Sequence, residues 1–332
     1  MTEIPAALGL TPQQVERLIT TAGMAPSLHN SQPWRFLIDA DRIELHADPE
    51  RALPTADPYG VEQRIGCGAA LLNLRLGLLG HGIRADVTIA PDITRPDLLA
   101  VVRPGGHKRA TPDEERLLQA IPQRRTNRHP FSDVAVTPHE QHSMRRAALA
   151  EGAWLHIVSA HEERIRLQEL AHRAHRMQMA DPAFTAELRK WTATAGRPDG
   201  VPLSAGGPQP APHNRWVKRD YTGGHGARAE GRDFEHQPTI AVLTSHLSGA
   251  AADVRTGQAL QRVLLTATAA GLATSFLSQI IEVPQTREEL RHLIGGTRPP
   301  QVVLRIGRGW PVPATPRRAA AELVMPAPTP SR

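Results

Sequence analysis

Apolar positions recur at helical spacing near the start of the chain. Val15, Leu18, Ile19 and Ala22 share one face of a helix that Thr11 caps and Pro12 opens, and it should stop between Gly23 and Pro26. The pattern then alternates through Trp34–Ile38 and again through residues 43–46, which predicts two strands joined by the polar turn 39–42. Over residues 66–82 nearly every position is small or Leu, including Ala69, Ala70, Leu71, Leu72, Leu74, Leu76, Leu78 and Leu79. A helix that is apolar all round has no solvent face, so this one is expected to run through the interior.

The same order returns later. Thr137-Pro138 opens a second helical segment, Trp154–Val158 repeats the strand of Trp34, and residues 257–272 repeat the small-and-Leu helix at an offset of 189 positions. The second copy lacks the Pro-Ser-Leu-His-Asn segment that separates helix and strand in the first. It also carries a long insertion, whose stretch 196–238 is dense in Gly, Pro, His and Arg. A loop of that length in a compact protein reads as a lid or a disordered segment.

Composition narrows the classes. The chain has 332 residues and 40% hydrophobic positions, ample for a folded core. The net charge of +6 invites a nucleic-acid reading. The basic residues are nearly all Arg and are interspersed with Asp and Glu, and no aromatic-plus-basic stripe, zinc knuckle or DNA-binding helix pair accompanies them, so no nucleic-acid partner is expected. No run approaches the roughly 18 apolar residues of a membrane helix and no signal pattern opens the chain, so a cytoplasmic protein without a membrane partner is expected. Cys67 stands alone, which excludes an internal disulfide and a Cys cage for a metal. No metal ligand set and no Ser-His-Asp triad emerge.

Three segments carry candidate chemistry. Pro26, Ser27, Leu28, His29, Asn30 and Gln32 lie in a loop running to Pro33-Trp34, which crowds donors and acceptors more densely than a turn requires. Arg124, Arg125, Thr126 and Arg128 precede Phe131-Ser132-Asp133. An Arg run serves equally well as a solvated helix end, but guanidinium forks also grip phosphate oxygens through paired, charge-assisted hydrogen bonds. The tail joins a buried strand at 302–307, near Gln301 and Arg305, to Thr315-Pro316-Arg317-Arg318, where the two Arg are either exposed charges or part of an anion site.

The loop resembles the Pro-Ser-x-x-Asn-x-Gln-Pro-Trp motif of FMN-dependent nitroreductases. The Arg run is similar to that family's Arg-Arg-Ser-x-Arg opening, with Thr126 in place of Ser. The likeness extends over residues 8–324, and the chain resembles most the Acg-type fused branch found in actinobacteria. It implies an α+β, nitroreductase-like fold with two halves in one chain, an internal pseudo-dimer whose further dimerisation is left open. Residues 1–118 would form the first half and 119–332 the second, with a lid inserted at about 192–236.

The resemblance further implies an FMN whose phosphate is held by Arg124, Arg125, Thr126, Arg317 and Arg318, with Arg128 near the N1/O2 edge of the ring. Ser27, His29, Asn30 and Gln32 would face it, and a backbone donor at Leu277 or Ser278 would reach N5. Each element survives in one half alone, so one complete site is expected. The implied activity is NAD(P)H-dependent hydride transfer to nitroaromatic or quinone-like acceptors, the flavin supplying the chemistry. The alternative is FMN storage or sequestration beneath the lid, with Arg215, Trp216 and Tyr221 closing over it.

Overall fold

A computed structural model describes residues 4–193, 196–208, 216, 219–221, 235, 237–246 and 248–326. Thr11 caps α1 (Pro12–Gly23), sharing a reciprocal capping box with Gln14. Next come β1 (Trp34–Ile38) and β2 (Ile43–Ala47), an antiparallel hairpin with Trp34 opposite Ala47. The small-and-Leu segment is α2 (Val61–Gly80), buried along most of its length, followed by β3 (Ile83–Ile89) and β4 (Leu98–His107). These strands form a sheet in the order β1-β2-β4-β3, and the alternating burial along β3 leaves one of its faces to solvent.

A linking helix α3 (Pro112–Ala120) and a short β5 (Phe131–Ser132) lead into the second half. There α4 (Pro138–Ala150), capped by Thr137, precedes β6 (Trp154–Val158). The insertion then supplies α5 (His161–Met179), α6 (Pro182–Trp191), and the small parallel pair β7 (Thr192–Ala193) and β8 (Val201–Pro202). The chain resumes with β9 (Thr239–Thr244), α7 (Ala250–Ala269), β10 (Ala273–Phe276), α8 (Gln279–Glu282), α9 (Pro284–Leu293), β11 (Pro300–Gly309) and α10 (Ala320–Leu323). The second sheet runs β10-β11-β9-β6, with β5 on β11. Its order matches the first sheet strand for strand, β6 standing for β1, β9 for β2, β11 for β4 and β10 for β3. The duplication in the sequence is therefore a duplication of topology.

The halves meet along α2 and α7. Gly68 and Gly257, 189 positions apart, sit where these helices cross: a Cβ on Gly68 would lie 2.1 Å from the Val254 carbonyl oxygen, and one on Gly257 would lie 2.0 Å from that of Ile65. Other pairs at the same offset meet there too. Arg64 donates to Asp253 at 2.8 Å, while Ile65 packs in the second half's core and Val254 in the first's. The repeat offset is thus the register of a pseudo-twofold contact.

Three details differ from the sequence-based layout. The inserted segment begins after β6 and includes α5 and α6, not only residues 192–236. The division at 118/119 falls inside α3. The tail crosses back to the first half: α10 contributes Ala320 and Leu323 to the first core, and the Met325 N–H donates to the Phe36 carbonyl at 2.8 Å. Among the described residues no helix is long and apolar enough to cross a membrane.

Candidate functional site

The site starts from a strained loop. Between α1 and β1, His29, Asn30 and Gln32 adopt φ of 52°, 55° and 51°, left-handed values that cost a non-glycine residue energy and persist only where surroundings impose them. The restraints are visible. Ser27 Oγ accepts the Gln32 N–H at 2.8 Å, and Asn30 Nδ2 donates to the carbonyls of Gly200 and Pro316 at 2.9 and 3.1 Å. Gln32 Nε2 donates to the Pro198 carbonyl at 2.8 Å, and its Oε1 accepts the Arg318 N–H at 2.8 Å. Asn30 and Gln32 thereby tie the first half's loop to the insertion and to the tail.

Next to this loop lies a cleft with about 720 Å³ of empty space, open solvent at its mouth included. Pro26, Ser27, Leu28 and His29 form one wall. Glu62, Ile65 and Gly66 present one face of α2, and Leu260 of α7 lies across from them. Thr126 and Arg128 come from the Arg-rich segment, and Ser275, Phe276, Ser278 and Gln279 from the corner between β10 and α8. Arg219 and Tyr221 of the insertion complete the enclosure. The Arg-rich segment is docked on the second sheet through a Thr126–Thr274 bridge and an Asn127 N–H to Thr274 carbonyl bond of 2.8 Å.

Three guanidiniums, Arg124, Arg125 and Arg317, gather beside the same loop, and none of them lines the cavity. Arg317 reaches the Asn30 amide oxygen at 2.7 Å and the Ala25 carbonyl at 3.4 Å, while its Nε has no partner. Arg124 is 3% exposed, and neither its Nε nor its Nη1 finds an acceptor among the described residues. Arg125 spends Nη1 on the carbonyls of Pro122 and Arg124, both at 2.8 Å. No carboxylate among the described residues pairs with any of the three. Burial, then the charges of Arg317 and Arg125, pull Arg124 down to about 9; burial, then Arg125, pulls Arg317 down to about 10. Arg124 and Arg317 remain cations at neutral pH, and the cluster lacks a counter-charge among the described residues.

The remaining predicted residues are placed as follows. Arg128 lines the cavity, donates to the Ala205 carbonyl at 2.9 Å and lies 4.7 Å from the centre of the Tyr221 ring. His29 Nδ1 meets the Tyr221 hydroxyl at 3.2 Å, and its buried Nε2 has no partner among the described residues. Burial first, then Arg219 and Arg128, holds His29 well below the ordinary imidazole range, so it is neutral. Ser278 faces the cavity. Leu277 does not: its side chain joins the core beneath the second sheet and its own N–H donates to the Val303 carbonyl at 3.0 Å. Arg318 is turned from the cluster, because Asp48 lies 3.7 Å away and Nη2 donates to the Glu322 carbonyl at 2.7 Å. Trp216 packs beneath the second sheet, and Arg215 lies outside the described residues. Arg305 is buried against Glu235, and Gln301 accepts from Arg287 at 2.7 Å, so both serve the scaffold.

Glu62 and Arg219 are cavity residues that the sequence did not single out. An acidic residue in a helix's first turn ordinarily answers the helix dipole, so Glu62 carried no distinguishing signal. Arg219 sits in a segment without periodicity.

No protein-family profile matches the chain. Over 320 residues it is 30% identical to a Mycobacterium tuberculosis protein provisionally named NAD(P)H nitroreductase acg, covering 95% of this chain and 96% of that one. A second protein of that organism, also provisionally named an NAD(P)H nitroreductase, is 31% identical over 322 residues, 94% of this chain and 91% of its own. A protein from Desulfovibrio desulfuricans provisionally named a nitroreductase, solved in complex with FMN, overlaps 67% of this chain and 99% of its own at 17% identity and a TM-score of 0.38. The identity to the two mycobacterial proteins runs through both copies of the duplicated topology, and the chain belongs to the nitroreductase family, with two nitroreductase-like halves fused in one polypeptide.

Proposed function

We propose that this protein holds one FMN between its halves and passes an electron pair from NAD(P)H to a nitroaromatic or quinone-like acceptor. The observation that carries this reading is the trio Arg124, Arg125 and Arg317: clustered cations, Arg124 buried, with no counter-ion among the described residues, next to the loop that walls the cavity. A phosphate dianion answers both their charge and the vacant donors of Arg124 and Arg317. The donor set fits FMN. Residues 1–118 contribute the loop of Ser27 and His29, and residues 119–332 contribute the guanidiniums together with Thr126 and Arg128.

Bound FMN would supply the hydride chemistry, as cofactors of its kind do. The chain's own residues position and shield. Asn30 orients Arg317, and Thr126 and Arg128 stand on the opposite wall with a hydroxyl and a fixed cation, the latter suited to a ring edge that becomes anionic. Ile65, Leu260 and Phe276 offer apolar surface to a flat ring.

A second reading draws on the insertion. Tyr221 and Arg219 wall the cavity, and the bonds from Asn30 and Gln32 to Gly200 and Pro198 latch the insertion onto the loop. A closure of this kind favours retention of FMN with little turnover. Purified protein should be yellow, and anaerobic NADPH should bleach its flavin absorbance. Persistent oxidised flavin would favour retention over reduction, and a colourless protein that fails to take up FMN would end both readings.

A further inference from the structure

Five titratable side chains line the cavity, namely His29, Glu62, Arg128, Arg219 and Tyr221. The two arginines are permanent cations. His29 is held neutral by burial and by Arg219 and Arg128, and its Nδ1 is engaged with the Tyr221 hydroxyl. Glu62 differs from all of them, because its carboxyl makes no hydrogen bond among the described residues.

Its surroundings explain why. Glu62 is the second residue of α2 and shares a cavity face with Ile65 and Gly66. Asp57, in the loop before the helix, and Glu282, at the end of α8, present like charges to it, while Arg219 of the insertion and Arg287 of α9 oppose them. Both cations already have acceptors: Arg219 donates to Glu282 at 2.6 Å, and Arg287 donates to the Pro300 carbonyl at 3.0 Å and to Gln301 at 2.7 Å. Arg64, two positions on, is taken by Asp253. Burial first, then Asp57 and Glu282, raises Glu62 well above the ordinary carboxylate range.

We propose that Glu62 is the proton-exchanging group of this cavity, a carboxylic acid that gives its proton to the acceptor at each two-electron reduction and regains one from solvent. The inference rests on the FMN reading. Reduction of a quinone to its hydroquinone takes up the hydride equivalent lost by NAD(P)H plus one proton. The O–H bond of Glu62 breaks, an O–H bond forms on the acceptor, and the resulting carboxylate is reprotonated by water-borne protons.

Glu62→Gln keeps the shape and removes the exchangeable acid. Infrared difference spectra of the protein without flavin at pH 7 should show a neutral carboxyl band that shifts in D2O and is missing from the variant. With FMN and a quinone, the variant should retain flavin like the wild type but lose kcat by about 100-fold, the scale of general acid catalysis. Wild-type kcat should fall as pH rises through the Glu62 titration, because the protonated form is the active one, and the variant should lose that limb. Failure of both proteins to bind FMN would strike the cofactor reading, while the infrared band still reports on Glu62 separately. FMN retained without any turnover, an unchanged kcat and pH limb in the variant, or no neutral carboxyl band at pH 7 would each overturn the assignment.

Discussion

Arg124 is the most informative side chain in the molecule, because it carries a full charge at 3% exposure with two of its donors unmet among the described residues. Leaving a buried charge uncompensated costs several kcal/mol, so the flavin-free protein carries a penalty that an anion relieves. Arg124→Met should therefore weaken FMN binding by roughly 100-fold, the scale of one or two hydrogen bonds to a charged group at about 1.5–3 kcal/mol each. The same change should leave the flavin-free protein as stable as the wild type or more so. Flavin fluorescence titration and thermal melts with and without FMN read the two effects, and a flavin-free variant that melts clearly lower would show that Arg124 is already satisfied. The residue types around it were legible in the sequence, since Ser27, Thr126 and the arginines stand in recognisable order. The duties of Asn30 and Gln32 were not. A polar side chain in a loop can address a ligand or a neighbouring backbone, and these two address Pro198, Gly200 and the tail, partners more than 160 residues away.

At the scale of elements, the crossing of α2 and α7 makes one molecule of two halves. Each glycine there faces the other helix's backbone, which cannot yield as a side-chain tip can. Gly257→Ala should force the helices apart and cost about 3 kcal/mol or more, at the upper end for overpacking. Gly77→Ala is the control, because its Cβ would meet the flexible end of Leu18 at 2.6 Å. It should cost distinctly less in urea unfolding midpoints, and equal losses at the two positions would contradict a backbone-limited crossing. The elements themselves were readable because they rest on local rules. Thr11, Thr111 and Thr137 each cap a helix opened by Pro, with Gln14, Glu114 and Glu140 closing the box. The largely buried β11 was read as an apolar run, whereas β9, also largely buried, and the alternating β3 were not read. The insertion's α5 and α6 went unread, for their short amphipathic faces are surrounded by Arg, His and Glu that obscure the period.

For the whole molecule, the duplication gives two corresponding places, and the proposed reading puts a cofactor in one of them. Opposite the cavity, the turn that stands for the Ser27 loop carries Glu151, which Arg75 and Arg262 clasp, both at 2.8 Å, with Gln258 also bound to Arg75 at 2.7 Å. Residues 1–11, ahead of α1, include no Arg. FMN should accordingly saturate at one per chain, measured as flavin absorbance against protein concentration. A ratio of two would require that the Glu151 cluster open.

Patterns of near neighbours sufficed for the helices, strands, caps and duplication of this protein, because periodicity and capping depend on residues a few positions apart. Order along the chain likewise sufficed to recognise the loop, the Arg run and the tail. Which side chains reach the cavity depended on packing between segments more than a hundred residues apart. Folding turned Leu277 and Arg318 away, brought in Glu62 and Arg219, and left Arg124 buried with no side-chain partner among the described residues. Burial and pairing are properties of the packed chain, and those properties set the charge each of these groups carries.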